Sequence, residues 1–138
     1  MKTLFVDTFY WVALINVADS WHQTVRNYSR NLNNIKLVTT EEVLIETINF
    51  FASFPSPMKK AVFRLITQVI ADQNITIISQ SHESFTGGLE LFSQRFDKGY
   101  SLTDCISMVT MNQLNITEVL THDKHFQQEG FIILFKQS

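Results

Sequence analysis

The sequence predicts an α/β fold built around a mainly parallel sheet. Short apolar runs rich in β-branched residues alternate with longer, helix-type segments, and several of those runs are too short to be helices. Connections are short, with only 4 glycines and 2 prolines among 138 residues. No internal repeat, low-complexity tract or long linker interrupts the alternation. A chain of this length buries a proper core and is read as one domain, residues 1–138.

Taken in order, TLFV (Thr3–Val6) is a strand that ends abruptly at Asp7, and FYWVALI (Phe9–Ile15) is a buried helix. Asp19 or Ser20 caps a second helix running to about Leu32. IKLVT (Ile35–Thr39) is the second strand. EEVLIETINFFASF (Glu41–Phe54) is helical, with two acids in its first turn where the helix dipole favours negative charge. PSP (Pro55–Pro57) breaks it, and another helix runs from about Met58 to Ala71. NITIIS (Asn74–Ser79) is the third strand. A helix from about His82 to Phe96, weakened by Gly87 and Gly88, leads through the loop DKGY to a helix after Ser101. ITEVLT (Ile116–Thr121) and FIILF (Phe131–Phe135) are the last strands.

Composition narrows the function classes. A hydrophobic share of 45% and a charged share of 17% are ordinary for a globular protein. The net charge of −2 gives no basic footprint, so a polyanionic substrate needs a metal ion or a local basic patch. The single cysteine, Cys105, cannot form an internal disulfide, which points to a reducing compartment. Lys2 and the run LFVDTFYWVALINV resemble a signal peptide. Asp7 interrupts that run at a cost of roughly 2.5–3.5 kcal/mol mid-membrane, and no small-x-small cleavage site follows. No segment reaches about 18 uninterrupted apolar residues. The expectation is a soluble cytoplasmic protein with no membrane segment.

In open parallel sheets, sites form beyond the carboxyl ends of the strands. Asp7 directly follows the first strand, and Asp123 lies two residues after ITEVLT. Each is equally the kind of residue that caps a helix or turn. Asp104 has the same double character, because Ser101 and Asp104 in GYSLTDCISM form a capping-box pattern. Glu46 lies a turn beyond Glu41 and Glu42, where a like charge at i and i+4 is mildly unfavourable. It belongs either to an exposed stripe with Glu42, Asn49 and Ser53 or to a shared cleft. Convergence of three or four carboxylates would cost on the order of 4 kcal/mol per pair about 4 Å apart at an effective dielectric near 20. Such a cluster stays ionised only around a cation, and all-oxygen ligation suits Mg²⁺ or Mn²⁺. A cation there activates water and neutralises charge developing on a phosphodiester.

The ordered segments FVDT, LIET, YSLTDCIS and VLTHDKHFQQEGFIIL closely resemble PIN-domain proteins, in particular the VapC-like toxin ribonucleases of toxin–antitoxin pairs. The resemblance runs from Val6 to Leu134 and is most specific in SLTDC and THDKHF…GF. It implies a three-layer α/β/α sandwich with a central parallel sheet. It implies that Asp7, Glu46, Asp104 and Asp123 form an acidic metal site, that the Thr121 hydroxyl helps orient that site, and that Thr8 supplies the hydroxyl where serine is common. Mg²⁺- or Mn²⁺-dependent cleavage of RNA, a homodimer and inhibition by a small antitoxin are further implications. All four acids are present, which argues against the alternative of a non-catalytic PIN module that binds RNA or a partner.

Other residues are assigned blander roles. His122 and His125 flank Asp123, but no further His or Cys lies near, so they are read as backbone or phosphate contacts at the cleft mouth rather than zinc ligands. Lys124 is read as solvated, His22 as a partly buried helix residue, and Asp97 as a loop former with a second role supporting the site as the alternative. Cys105, Trp11 and Trp21 are read as core residues. A phosphoacceptor receiver domain is set aside, because NITIISQSHE offers only Glu83 after the third strand. No G-x-G-x-x-G, G-x-x-x-x-G-K-[ST] or G-x-S-x-G motif is present.

Overall fold

The structure is a computed structural model that describes residues 1–137. Its elements are β1 (Lys2–Val6), α1 (Thr8–Ile15), α2 (His22–Arg30), β2 (Ile35–Thr40), α3 (Glu41–Phe50), α4 (Ser56–Ala71), β3 (Ile75–Ile78), α5 (His82–Ser93), α6 (Leu102–Gln113), β4 (Glu118–Leu120), α7 (Lys124–Gln128) and β5 (Ile132–Ile133). The five strands form one sheet in the order β3-β2-β1-β4-β5, and every pairing is parallel. Central β1 is apolar on both faces, with Leu4, Phe5 and Val6 all fully buried, as a strand covered by helices on either side requires. From β1 to β3 the chain steps outward in one direction; from β3 it returns past β1 to β4 and β5. Right-handed crossovers of opposite direction lie on opposite faces, so α1–α4 cover one side and α5–α7 the other. The α/β/α sandwich follows from that reversal.

Local boundaries differ from the sequence reading where side chains found other partners. The second helix starts at His22, and the Asp19 carboxylate accepts the Trp21 N–H at 2.8 Å from outside the helix rather than capping it. α3 ends at Phe50, four residues early. The chain then turns through Phe54, with Phe51 wholly buried and packed edge-on against Phe54. α4 begins at Ser56 and takes Pro57 into its first turn, where a missing N–H costs nothing. Its buried residues Val62, Ile66 and Val69 recur at i, i+4 and i+7. No helix among the described residues is long and apolar enough to cross a membrane.

Gly88 has a packing role that its reading as a weak point in the helix did not capture. α5 lies so close to α6 that a Cβ at Gly88 would sit 2.4 Å from Ile106 Cγ1 and 3.2 Å from the Ile106 backbone nitrogen. Gly88→Ala is therefore expected to destabilise the fold by about 1–3 kcal/mol despite the better helix propensity of alanine. Gly87→Ala meets only an ordinary 3.5 Å contact and serves as the control in thermal melts.

Candidate active site

The strand order reverses between β1 and β4, which places a crevice beyond the carboxyl ends of those two strands. A cavity of about 610 Å³ lies there, and Asp7, Glu46, Asp104 and Asp123 all line it. Four acids, from the β1–α1 junction, α3, α6 and the β4–α7 turn, are thus brought to one cleft.

Asp7 stands at the N-cap position of α1, yet its carboxylate makes no capping bond. It is 4% exposed. Oδ2 accepts a 2.9 Å hydrogen bond from the Thr121 hydroxyl, while Oδ1 is buried with no partner among the described residues. Burial, then the neighbouring charges of Asp104 and Asp123, push its pKa up to about 7, against the lowering effect of the Thr121 hydroxyl. A buried carboxylate with one orphan oxygen is costly unless something positive meets it.

Asp104 performs both of its possible roles. Its Oδ2 accepts the Ser101 N–H at 3.1 Å while Ser101 Oγ accepts the Asp104 N–H at 3.0 Å, which completes the capping box of α6. The same carboxylate faces the cleft, and burial raises its pKa ahead of the opposing Ser101 bond and the Asp123 charge. Asp123 caps α7 by accepting the His125 N–H at 2.9 Å, and its own N–H donates to Thr121 Oγ1 at 3.1 Å. Thr121 therefore ties Asp7 to Asp123. Glu46 accepts a short hydrogen bond from the Thr8 hydroxyl, which turns it toward the cleft. Glu41 instead accepts the N–H of Gln80, just before α5, and Glu42 accepts the hydroxyl of Ser84 in the first turn of α5.

The residue that the sequence reading undervalued is His125. It lies between two of the acids, with Nδ1 3.2 Å from Asp104 Oδ2 and 3.3 Å from Asp123 Oδ1. Tyr100 packs against its ring, and Gly99 leaves room for it, since a Cβ there would come within 3.1 Å of Nε2. Ligand atoms of Asp104, Asp123 and His125 lie within 4.8 Å of one another, a set that Asp7 and Glu46 border without joining. Carboxylate oxygens with one imidazole nitrogen suit a divalent cation, and the orphan Asp7 oxygen gives it a further charge to satisfy.

Glu129 was also missed. It accepts two 2.9 Å bonds from the Arg95 guanidinium and one of 3.0 Å from the Tyr100 hydroxyl, which joins α7 to the loop that leads into α6. Arg95 holds the Glu129 carboxyl below its usual range. Asp97 does not support the site; it pairs at 3.6 Å with Lys98 at the surface. His22 binds the Ala13 carbonyl at 2.8 Å, and Cys105 and Trp11 are buried.

The wholly parallel sheet, the crevice at its reversal point and the carboxylates gathered there make this a PIN-like α/β protein. Along its length the chain is similar in sequence to a VapC endonuclease. It is 26% identical over 132 residues to the 23S rRNA-specific endonuclease VapC20 of Mycobacterium tuberculosis, which covers 94% of this chain and 95% of the relative, and the protein from a second strain matches equally. The crystal structure of Mycobacterium tuberculosis VapC20, described as a Sarcin-Ricin loop cleaving toxin, matches with a TM-score of 0.83. That likeness spans 94% of this chain and 96% of the other at 21% identity, and it establishes the fold. No protein-family model matches the chain.

Proposed function

We propose that the chain is a single-domain, divalent-metal-dependent endoribonuclease that hydrolyses RNA phosphodiester bonds as the toxin of a toxin–antitoxin pair. The observation that carries this reading is Asp7, a buried carboxylate with an orphan oxygen beside Asp104 and Asp123. The endonuclease activity named for the VapC20 relative supports it.

Asp7, Glu46, Asp104 and Asp123 would hold Mg²⁺ or Mn²⁺, with His125 as a candidate fifth donor. The bound metal supplies water activation and neutralises charge developing on the phosphate. Thr121 fixes the rotamer of Asp7 through its 2.9 Å bond and receives the Asp123 N–H, so one hydroxyl sets the spacing of two acids. Thr8 does the same for Glu46. The Ser101 cap anchors the first turn of α6 and so presents Asp104. Lys124 and Lys136 line the cleft and supply positive charge where the net charge of the chain does not.

A homodimer, a small antitoxin partner and a cytoplasmic site of action belong to the same proposal. Exposed apolar side chains on α4 (Phe63, Ile70) and on α5 (Phe85, Leu89) leave surface of the kind that partner chains cover.

The test is cleavage of total cellular RNA by the purified protein, with cut sites mapped by sequencing. Mg²⁺ or Mn²⁺ is expected to support cleavage and EDTA to abolish it. Tight RNA binding with no metal-dependent turnover would replace this reading with that of a non-catalytic RNA-binding module.

A further inference from the structure

The cleft carries an aromatic surface that the carboxylate chemistry does not use. His122 is exposed and lines the cavity one residue before Asp123. One face of its ring stacks on Trp21, with centroids 5.2 Å apart and planes 26° from parallel. Phe9 meets it edge-on at 4.9 Å. Phe9 and Trp21 contact each other and both pack on buried Phe135, so the imidazole is braced by a block rooted in the core. The ring makes no hydrogen bond to another described residue. Lys124 and Lys136 line the same cavity, and neither has an ion-pair partner among the described residues.

A rigid ring held flat and open to a cleft, with unpaired ammonium groups nearby, matches what an unstacked nucleotide needs. Unpaired bases are read by stacking on aromatic or histidine rings, while their phosphates meet lysine. We propose that His122 is the stacking platform for a base of single-stranded RNA next to the cleaved bond, with Lys124 and Lys136 on the flanking phosphates. The placement next to the cleaved bond rests on the nuclease reading; the stacking itself does not. It accounts for the brace, because a preorganised platform spends less ordering entropy when the base arrives. It also gives a chain of net charge −2 a means to select unpaired RNA without a broad basic surface.

The experiment measures the affinity of a short, fluorescein-labelled single-stranded RNA for Asp104→Asn protein, in which cleavage is suppressed, with His122→Ala or His122→Phe added. His122→Ala is expected to weaken binding about 5–150-fold, the equivalent of one base–aromatic stack at about 1–3 kcal/mol. His122→Phe, which keeps the face and loses both nitrogens, is expected to restore most of the affinity. A blunt duplex of the same sequence, whose bases are already stacked, is expected to show no dependence on His122. Unchanged single-strand affinity in His122→Ala overturns the proposal. So does a phenylalanine variant as weak as alanine, or an equal loss on the duplex, because either makes His122 a phosphate contact. Cleavage by the otherwise unaltered protein is assayed in parallel. Cleavage without His122-dependent binding rejects the platform alone, and His122-dependent binding without cleavage rejects the nuclease reading alone.

Discussion

Asp7→Asn is expected to lower metal-dependent RNA cleavage by at least about 100-fold and, at the same time, to stabilise the metal-free protein. Loss of activity follows from removing the least replaceable charge of the cleft; even groups that only orient metal ligands typically cost 10–100-fold when altered. The gain in stability follows from linkage. Asp7 has a pKa pushed up to about 7 in the folded chain, against about 4 when unfolded. Between those values the folded state holds a proton that the unfolded state has released, so stability falls as pH rises through the window. Asparagine carries no such charge, keeps the acceptor for Thr121, and is expected to be the more stable by on the order of 2–4 kcal/mol near pH 7. Thermal melts at pH 4 and pH 7 without metal check the sign: the two proteins converge at the lower pH and separate at the higher. Added Mn²⁺ is expected to raise the melting temperature of the parent much more than that of the variant, since the cation binds the ionised carboxylate of the folded state. An Asp7→Asn protein that is less stable at pH 7 would mean that the orphan oxygen has a partner in solution.

The second large effect separates the two roles of Asp104. Asp104→Asn retains an oxygen that can accept the Ser101 N–H, so the α6 cap survives and stability changes by no more than about 1 kcal/mol. Cleavage is nevertheless expected to fall at least about 100-fold, because the carboxylate charge beside Asp123 and His125 is gone. Ser101→Ala is the reciprocal case. It removes the acceptor for the Asp104 N–H, is expected to cost about 1 kcal/mol of stability, and leaves a carboxylate in the cleft with most of its activity. Paired melts and cleavage rates for the two variants decide the matter. If Ser101→Ala lost as much activity as Asp104→Asn, helix presentation rather than charge would dominate.

Much of the architecture was legible because the strands are short, apolar and separated by helices with clear punctuation. TLFV ending at Asp7 and IKLVT ending before two glutamates mark β1 and β2 to within a residue or two. α7 was not legible, since five residues carry no apolar periodicity and its start is visible only as the Asp123 side chain bonding the His125 N–H. That omission also hid His125. Its place between two carboxylates depends on a turn geometry and on the small residue at Gly99, neither of which leaves a spacing signature. The acids themselves could be ordered along the chain but not weighed singly. Asp123 and Asp104 do cap their helices, and only Asp7 lacks any capping bond. Glu46 was evenly poised on sequence, and Thr8 is what turns it inward.

The Arg95–Glu129–Tyr100 contact has a consequence for how the molecule breathes. β5 is only two residues long and α7 only five, so the C-terminal edge that carries Asp123 and His125 has few ladder bonds of its own to resist fraying. Glu129 fastens that edge to the end of α5 and to the loop before α6, through bonds that span 34 and 29 positions of chain. Local opening of the edge therefore has to break a bidentate ion pair as well as a short strand. Glu129 thus couples the edge that carries Asp123 to the loop that leads to Asp104, so loosening on one side of the carboxylate cluster is felt on the other.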